Sequence, residues 1–556
     1  MQSLSKNGVL GGFSMSIAIR MIYDDVNGRH KAVELYDGRE TRVVPVNRLG
    51  KKHNRFSRRL PRLRLDTAQY SVETGYMLKA YIDNMISRFD KQRDIVTTII
   101  QFLRSTETGR VMALSGLRGV GKTVAMLQAI REYADYDNVV LITLHKRGMT
   151  TTELNELVLK FSHKQAIFID EVTFATDFVT DSALLADQLS NIKTKIILSG
   201  TDSLVLSLAQ YEALYHRMHL HNLTYTGYIE ANRVQYMDFD TYMRTGGMFK
   251  PDRFNNIVEL SRYLDTAILN NITNTLARNR VKRYSNLQKL DEATLRTLLF
   301  RLMYVIICHS LGKLSYGNTN LAVYINQYSF KKSFEQLQNG VLATLGILSN
   351  ITVSTEVVNE LIDALMTIGV LIRVPNITNM TEVNYYFTNS AITVQLSNAI
   401  VKTIEFDEDV TRKDNYNIKF REGLIFESVV MCHFHRLAMQ YGYNLYYYRD
   451  KRGIEVDVVL EKELTLDKQV YGLFEVKHTS GRDTAIVKTS GLNRTRLEAE
   501  RKAVIYRGAT GVFDTFTSNV YGTKQLTVED ISQLNKGTLC LNIIDCFRYP
   551  EKYTLI

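Results

Sequence analysis

The stretch Gly116–Thr123, GLRGVGKT, follows a short apolar run, RVMALS, and precedes VAMLQAIREYA, whose apolar residues have helical spacing. This is the pattern GxxxxGK[ST] in the strand–loop–helix context that it requires. Its glycines allow consecutive backbone N–H groups to turn toward one phosphate chain, and the following helix presents its positive N-terminus to the same point. The sequence therefore predicts a phosphate-binding loop, and the strands around it decide the fold.

The side chains of this loop are of the types that bind a nucleoside triphosphate with its metal ion. Lys122 is expected to reach the β- and γ-phosphates, and Thr123 is expected to hold Mg²⁺. The residues predicted to contact the nucleotide in this segment are Gly116, Leu117, Arg118, Gly119, Val120, Gly121, Lys122, Thr123 and Val124. ATP and Mg²⁺ are therefore the predicted cofactors.

A second apolar strand, QAIFID, ends in two acids, Asp170 and Glu171. Asp170 is expected to bind Mg²⁺ through water, and Glu171 is placed to polarise the attacking water. A helix cap after a buried strand is the plainer interpretation. The phosphate-binding loop upstream favours the catalytic one.

A further strand, TKIILSG, ends in the polar residues Ser199 and Thr201. An extra strand between the two phosphate-site strands, together with Glu171, indicates the additional-strand division of P-loop ATPases. In that division the polar tip of the neighbouring strand senses the γ-phosphate. Ser199 and Thr201 are both candidates, and the sequence alone does not choose between them.

The stretches SGLRGVGKT, AIFIDEV and KIILSGTDSLVLS, with YHRMHLHNLTYTGYIE after them, resemble a family of prokaryotic AAA-type ATPases. Members of this family carry a winged-helix middle and a C-terminal restriction-endonuclease-like domain. In them an arginine follows the helix after the sensor strand, in a Gly-Arg or similar dipeptide, and here the dipeptide is His216-Arg217. The resemblance implies that Arg217 is an arginine finger or phosphate sensor; the alternative is a surface arginine that pairs with an acid.

In the middle of the chain, the spacing of apolar residues predicts a helical lid, followed by a helix–strand–turn–strand unit. Ser354 is a plausible N-cap, the apolar residues after it fall on one helical face, and Gly369 can end the helix. This unit is the ending of a winged helix, which the resemblance also places here. The candidate recognition helix carries Glu356, Glu360 and Asp363 without Lys or Arg. Acids repel phosphates, so a structural role is favoured over DNA contact.

In the C-terminal part, a predicted helix with Glu427 is followed by a strand with Asp457. The strand YGLFEVKH, with Glu475 and Lys477, comes next. This is the order of a PD-(D/E)xK nuclease core. Two carboxylates on adjacent strands bind Mg²⁺, which polarises a phosphodiester and its attacking water. Lys477 would stabilise the charge that develops or orient that water, and Glu427 could add a metal ligand.

The chain of 556 residues is too long for one core. The predicted fold class is α/β: a P-loop ATPase with a parallel sheet, a helical lid, a winged helix and a C-terminal restriction-endonuclease-like α/β domain. The predicted units are a small β segment with a basic run (1–80), the AAA-type ATPase core (81–235), the helical lid or linker (236–340), the winged helix (341–412) and the nuclease-like domain (413–556).

Composition and charge suggest a folded cytoplasmic protein. We find neither an N-terminal hydrophobic signal nor an uninterrupted membrane-spanning run, since LLFRLMYVIICHSLG is broken by Arg301 and is better interpreted as a buried helix. The four scattered cysteines predict reduced core residues. Residues 48–64 hold eight Lys or Arg and no acid, which indicates either a solvated tail or an arm for nucleic acid.

The leading hypothesis is an ATPase whose nucleotide cycle controls a metal-dependent nuclease-like domain acting on nucleic acid, with DNA as the favoured partner. The rival hypothesis is an ATP-driven switch or assembly factor whose C-terminal fold only binds DNA or a protein partner. An arginine supplied across a subunit interface would make the protein a homo-oligomer, and no membrane partner is expected.

Overall fold

The computed structural model describes most of the chain between residues 69 and 507 and several strands outside that range. The described residues are 3–10, 13–23, 30–36, 41–45, 69–87, 89, 92–93, 95–106, 111–178, 181, 193–208, 215–219, 239–247, 257–278, 282–310, 321–327, 351–405, 414–463, 468–478, 492, 494–507, 511–514 and 537–542.

The N-terminal segment forms a four-stranded antiparallel meander in the order β1-β2-β3-β4. Its strands are β1 (Ser3–Leu10), β2 (Phe13–Tyr23), β3 (His30–Tyr36) and β4 (Thr41–Pro45). The sequence predicts a small β unit in this region. The basic run 48–64 lies outside the described residues.

A six-stranded sheet carries the phosphate-binding loop, in the order β10-β6-β9-β8-β7-β5. Its strands are β5 (Tyr70–Thr74), β6 (Val111–Ser115), β7 (Val139–Leu144), β8 (Ala166–Asp170), β9 (Lys195–Ser199) and β10 (Tyr215–His219). All neighbours pair in parallel except β5, which is antiparallel to β7. The strand β9 lies between β6 and β8, which is the additional strand that the sequence predicts.

Helices cover both faces of this sheet, so its central strands are buried on both sides. The helices are α1 (Gly75–Ile86), α2 (Ile95–Arg104), α3 (Lys122–Tyr133), α4 (Thr151–Lys160) and α5 (Ser203–Leu208). Alternate residues of β6 enter different cores: Met112 and Leu114 pack in one, Val111 and Ala113 in the other. This alternation explains why the strands are continuously apolar in sequence.

The region after the ATPase sheet is helical, as its periodicity predicts. It contains α6 (Phe239–Thr245), α7 (Ile257–Tyr263), a π-helix (Leu264–Leu269), α8 (Asn270–Arg278), two 3₁₀ turns (Lys282–Tyr284 and Leu287–Lys289), α9 (Glu292–Ser310) and α10 (Leu321–Gln327). Among the described residues, α9 is the one helix long and apolar enough to cross a membrane by length and composition. Its buried Arg301 donates a hydrogen bond to the Ile325 carbonyl oxygen at 2.7 Å, as fits a core helix.

The next unit has the predicted helix–strand–turn–strand order: α11 (Thr355–Thr367), β11 (Leu371–Asn376) and β12 (Asn379–Phe387), followed by α12 (Ser390–Glu405). The Ser354 side chain accepts a hydrogen bond from the Val357 N–H, and Gly369 ends the helix with a φ of 77°. The hairpin β11–β12 joins the C-terminal sheet, because Asn376 pairs in parallel with Tyr447.

The C-terminal sheet has eight strands in the order β12-β11-β13-β14-β15-β16-β18-β17. Its own elements are α13 (Asp414–Tyr441), β13 (Tyr443–Arg449), β14 (Glu455–Glu463), β15 (Lys468–Val476), β16 (Arg501–Tyr506), β17 (Gly511–Asp514) and β18 (Gly537–Asn542). Just before β16, residues 495–500 form neither helix nor strand.

Candidate functional site

The phosphate-binding loop has the backbone that its glycines allow. Gly116, Gly119 and Gly121 have φ values of 139°, 94° and 91°, in the region that favours glycine. The helix α3 begins directly afterwards, at Lys122. Because the loop turns tightly into a helix N-terminus, it forms the anion-binding geometry that the sequence predicts.

Lys122 is held inside the loop. Its Nζ donates hydrogen bonds to the carbonyl oxygens of Gly116 at 2.8 Å and Leu117 at 3.1 Å. Burial lowers the pKa of Lys122, although Glu171 and Asp170 act in the opposite direction. Phosphate oxygens are stronger acceptors than these carbonyls, so a bound phosphate can take over the ammonium group.

Asp170, at the carboxyl end of β8, connects the carboxyl end of β9 to the first turn of α3. The Thr123 Oγ1 donates to Asp170 Oδ2 at 2.8 Å, and the Ser199 Oγ donates to Asp170 Oδ1. Asp170 is buried at the end of β8. A hydroxyl and a carboxylate in contact are ligands that suit Mg²⁺, so Thr123 and Asp170 fit the predicted metal site.

Glu171 is held by Thr201. Its carboxylate accepts hydrogen bonds from the Thr201 N–H at 2.9 Å and from the Thr201 Oγ1 at 2.5 Å. Its backbone has a φ of 58°, a left-handed conformation that is strained for a glutamate. Burial, with Asp170 beside it, raises the pKa of Glu171. The structure therefore gives the two candidate sensors separate partners: Ser199 contacts Asp170, and Thr201 contacts Glu171.

The helical lid contacts both ends of this site. The Tyr263 hydroxyl donates to the Arg118 carbonyl oxygen at 3.0 Å, within the phosphate-binding loop. The Asn271 Nδ2 donates to the Thr201 carbonyl oxygen at 3.3 Å. Tyr263 and Asn271 could not be predicted from the sequence, since a single polar residue in an apolar helical pattern carries no motif.

Arg217 lies in β10, where it pairs with Ala113 of the phosphate-loop strand. The structure describes the backbone at this position but not the side chain. Its role as an arginine finger or phosphate sensor stays a prediction.

The C-terminal residues predicted to form a second site are brought together. The register that pairs Val458 with Phe474 places Asp457 opposite Glu475 on one face of the sheet. The Lys477 Nζ lies 3.0 Å from Glu475 Oε2 and 3.7 Å from Asp457 Oδ2. One ammonium group therefore bridges two carboxylates from paired strands.

Backbone groups fix the two carboxylates. The Val476 N–H donates to Asp457 Oδ2 at 2.6 Å, and the Leu492 N–H donates to Glu475 Oε1 at 3.0 Å. Burial raises the pKa of Glu475, and Lys477 opposes this shift. Burial alone would lower the pKa of Lys477, but Asp457 and Glu475 outweigh it and raise that pKa. The charged ammonium group of Lys477 and the charged carboxylates of Asp457 and Glu475 thus stabilise one another.

Glu427, on α13, lies beside this pair. Burial and the Asp457 charge raise the pKa of Glu427 to about 8. The Tyr386 hydroxyl, from the hairpin β11–β12, donates to Glu427 Oε1 at 2.7 Å. Across the part of the chain that the structure describes, no three His, Cys, Asp or Glu side chains gather closely enough to hold a metal ion. Tyr386 could not be predicted from the sequence, because it lies outside the PD-(D/E)xK pattern.

The acidic face of α11 is occupied by the lid. Glu360 accepts hydrogen bonds from the backbone N–H groups of Asn286 at 3.0 Å and Leu287 at 2.9 Å. Asp363 pairs with Arg283 at 2.7 Å. These contacts use two of the three acids of the candidate recognition helix inside the chain, which supports a structural role for this helix.

Comparison with known proteins identifies two regions of the chain. Residues 108–231 match a family model described as an AAA domain, and residues 422–521 match a domain of unknown function, DUF4143. The fold and the loop define an α/β P-loop ATPase domain, and the match assigns that domain to the AAA type. No curated protein matches the chain.

Several solved structures are similar to this chain at low identity. The Orc1 protein of Aeropyrum pernix in complex with DNA is 13% identical, with a TM-score of 0.23, over 60% of this chain and 97% of its own. Cdc6p of Pyrobaculum aerophilum is 14% identical, with a TM-score of 0.21, over 57% and 95%. The Hsp104–casein complex of S. cerevisiae is 14% identical, with a TM-score of 0.23, over 50% of this chain and 53% of the Hsp104 chain, so about half of that chain is matched.

Proposed function

We propose that this chain binds ATP and hydrolyses it with Mg²⁺ at the site formed by Lys122, Thr123, Asp170 and Glu171. The observation that carries the proposal is the hydrogen bond between Thr123 and Asp170, which joins the phosphate-binding loop to the acidic strand. Mg²⁺ held by Thr123 and Asp170 would neutralise phosphate charge. Lys122 would leave the loop carbonyls for the phosphates, and Glu171 would accept a proton from the attacking water.

Steady-state ATP hydrolysis tests this proposal. Glu171→Gln removes the base and is expected to lower the hydrolysis rate roughly 100-fold or more while nucleotide binding persists. Lys122→Ala is expected to abolish both binding and hydrolysis. Lys79→Ala, an exposed lysine on α1, is the matched control and should hydrolyse ATP at the wild-type rate. Full hydrolysis by Lys122→Ala would refute the proposed site.

We further propose that the C-terminal domain is a PD-(D/E)xK nuclease-like unit that acts on DNA. The supporting observation is the bridge of Lys477 between Asp457 and Glu475. Mg²⁺ held by Asp457 and Glu475 would polarise the phosphodiester. Lys477 would stabilise negative charge on the phosphate as it develops.

A cleavage assay with labelled DNA and Mg²⁺ or Mn²⁺ tests the nuclease proposal. Lys477→Ala is expected to lose cleavage, because no other described cation lies within 4 Å of both carboxylates. Lys462→Ala is the matched control, since Lys462 is exposed on the same sheet. If wild type and Lys477→Ala behave alike in every nucleotide state, the nuclease proposal fails.

A second candidate function is an ATP-driven switch or assembly factor whose C-terminal fold only binds DNA or a protein partner. The observation that favours it is that no three metal-ligating side chains gather in the described part of the chain. The winged-helix-like unit would then be a structural connector, in keeping with the docking of Glu360 and Asp363 on the lid. ATP hydrolysis without DNA cleavage, but with nucleotide-dependent DNA or protein binding, would support this alternative.

Homo-oligomerisation through Arg217 is a separate proposal. An arginine that completes a neighbouring site makes hydrolysis depend on protein concentration. Mixing Arg217→Ala with Glu171→Gln should restore some hydrolysis at the mixed interfaces if Arg217 acts across subunits. Mixtures no more active than their separate components would show that it does not.

A further inference from the structure

A turn after β9 carries Thr201, the residue that holds Glu171. This turn joins the end of β9 at Ser199 to the helix α5, which begins at Ser203. The N–H and the hydroxyl of Thr201 both donate to the Glu171 carboxylate, so the position of Thr201 sets the position of that carboxylate. A residue that fixes the turn therefore acts on Glu171 indirectly.

An asparagine of the lid closes this turn. Asn271 lies in the first turn of α8 and is 3% exposed. Its Nδ2 donates to the Thr201 carbonyl oxygen at 3.3 Å, and its Oδ1 accepts from the Leu204 N–H at 3.4 Å. The Leu204 N–H is one of the groups at a helix start that have no acceptor within the helix. One side-chain amide thus bridges the two ends of the turn.

The lid helix that carries Asn271 also contacts the phosphate-binding loop. Tyr263, earlier on the same helical segment, donates its hydroxyl to the Arg118 carbonyl oxygen at 3.0 Å. Between these two residues lies the π-helix Leu264–Leu269. A π-helix changes the rotation between the residues on either side of it, and such segments are frequent at functional sites. Here the residues on both sides of it, Tyr263 and Asn271, contact the ATP site.

We propose that Asn271 is a positioning residue for ATP hydrolysis, which fixes the turn that holds Thr201 against the Glu171 carboxylate. The inference rests on the proposed ATPase function and gives the lid a part in the hydrolysis step. Asn271 acts through the Thr201 backbone, so its loss leaves Lys122 and Thr123 in place for the nucleotide. Hydrolysis should therefore slow while the nucleotide still binds, because a displacement of about 1 Å near reacting groups can cost about 100-fold in rate.

Steady-state hydrolysis and nucleotide binding by the full chain test the inference. Asn271→Ala removes the amide and is expected to lower kcat roughly tenfold or more, with the Kd of a non-hydrolysable ATP analogue unchanged. Asn271→Leu fills the space that alanine leaves, so it separates loss of the hydrogen bonds from loss of packing, and it should lower kcat similarly. Asn270→Ala is the matched control: Asn270 is the partly exposed neighbour on the same helix, and this variant should hydrolyse ATP at the wild-type rate.

The pH–rate profile separates positioning from a merely structural role. Burial and Asp170 raise the pKa of Glu171, whereas the Thr201 hydrogen bonds and Lys122 lower it. Loosening Thr201 in Asn271→Ala should therefore move the acid limb of the profile to higher pH. In a Thr201→Val background, Asn271→Ala should change kcat less than it does in wild type, because residues that act as one unit are not additive.

The possible failures are distinguishable. Wild-type kcat with an unshifted acid limb in both Asn271→Ala and Asn271→Leu would overturn the role of Asn271 alone. An equal effect of Asn271→Ala with and without Thr201→Val, or a loss of nucleotide affinity that matches the loss of kcat, would also overturn it. A wild-type chain that hydrolyses no ATP would overturn the proposed ATPase function and this inference with it.

Discussion

At the scale of single residues, the ATPase site depends on how Thr201 holds Glu171. The Thr201 hydroxyl lies 2.5 Å from the Glu171 carboxylate, and the Glu171 backbone adopts a strained left-handed φ of 58°. Strain of this kind costs about 1–3 kcal/mol and persists only where neighbouring contacts impose it. Glu171 precedes the 3₁₀ turn Val172–Phe174, but its side chain makes no capping hydrogen bond and is held by Thr201 instead, as the proposed role of a base requires.

The Thr201 contact predicts a change in the pH dependence of hydrolysis. Burial raises the pKa of Glu171 and the Thr201 hydrogen bond lowers it, so Thr201→Val should raise this pKa further. A base must be deprotonated, and hydrolysis should therefore fall at a higher pH in Thr201→Val than in wild type. The acid limb of the pH–rate profile measures the shift. Thr266→Val, in an exposed part of the lid, should leave the profile unchanged, and an unshifted limb in Thr201→Val would contradict the role of Thr201.

The raised pKa of Glu427 predicts that the stability of the folded state depends on pH. Its folded-state pKa of about 8 lies above its ordinary value of 4.5, so the folded state binds the proton more tightly. The contribution of protonated Glu427 to stability is therefore fully present below its ordinary pKa, and it is lost as the pH rises toward 8. Glu427→Gln should reduce this loss, by a few kcal/mol at most, between pH 5 and pH 8. Denaturant unfolding at both pH values measures it, with Glu422→Gln, exposed on the same helix, as the control. Equal pH dependence in Glu427→Gln and wild type would refute the assignment.

At the scale of elements, local signals predicted most of the structure. The strand–loop–helix at 111–133, the acidic strand ending at Asp170 and the Ser354 cap all form as predicted, since each depends on residues close in sequence. The pairing of Asn376 with Tyr447 depends on residues far apart in sequence, and no local pattern specifies it. The contacts of Tyr263, Asn271 and Tyr386 were missed for the same reason.

The docking of α11 on the lid predicts a stability effect that is separate from DNA binding. Glu360 satisfies two backbone N–H groups at the start of the turn Leu287–Lys289. Glu360→Ala should lower the free energy of unfolding by roughly 1–2 kcal/mol, as for loss of a helix cap. Glu356→Ala, exposed on the same helix, should change it by less than about 0.5 kcal/mol. Chemical denaturation measures both variants, and equal effects would argue against the docking.

At the scale of the whole molecule, the short helix α6, which follows the ATPase sheet in sequence, packs against the C-terminal domain. Phe239 on α6 packs edge-on against Phe426 of α13, with ring centroids 6.1 Å apart. Asp240 pairs with Arg507 at 2.9 Å, directly after β16. Arg507 also lies 3.4 Å from His478, the residue that follows Lys477. The helix α6 therefore lies close to the second site.

This contact predicts that Phe239→Ala loosens the C-terminal domain. Removing a buried aromatic side chain costs about 3–5 kcal/mol, so the unfolding transition of this domain should move to lower denaturant concentration. Val258→Ala, on the exposed surface of the lid, should have little effect. Hydrogen exchange of residues 473–478 locates the change: faster exchange in Phe239→Ala is expected, and unchanged exchange would show that α6 does not brace the site.

We propose that an AAA-type ATP site and a separate C-terminal site coexist in this chain. Steady-state ATP hydrolysis by wild type, Lys122→Ala and Lys477→Ala, compared in one assay with Mg²⁺, tests it most directly. We expect wild type and Lys477→Ala to hydrolyse ATP at equal rates and Lys122→Ala to lose hydrolysis. Undiminished hydrolysis by Lys122→Ala, or its loss in Lys477→Ala alone, would contradict the claim.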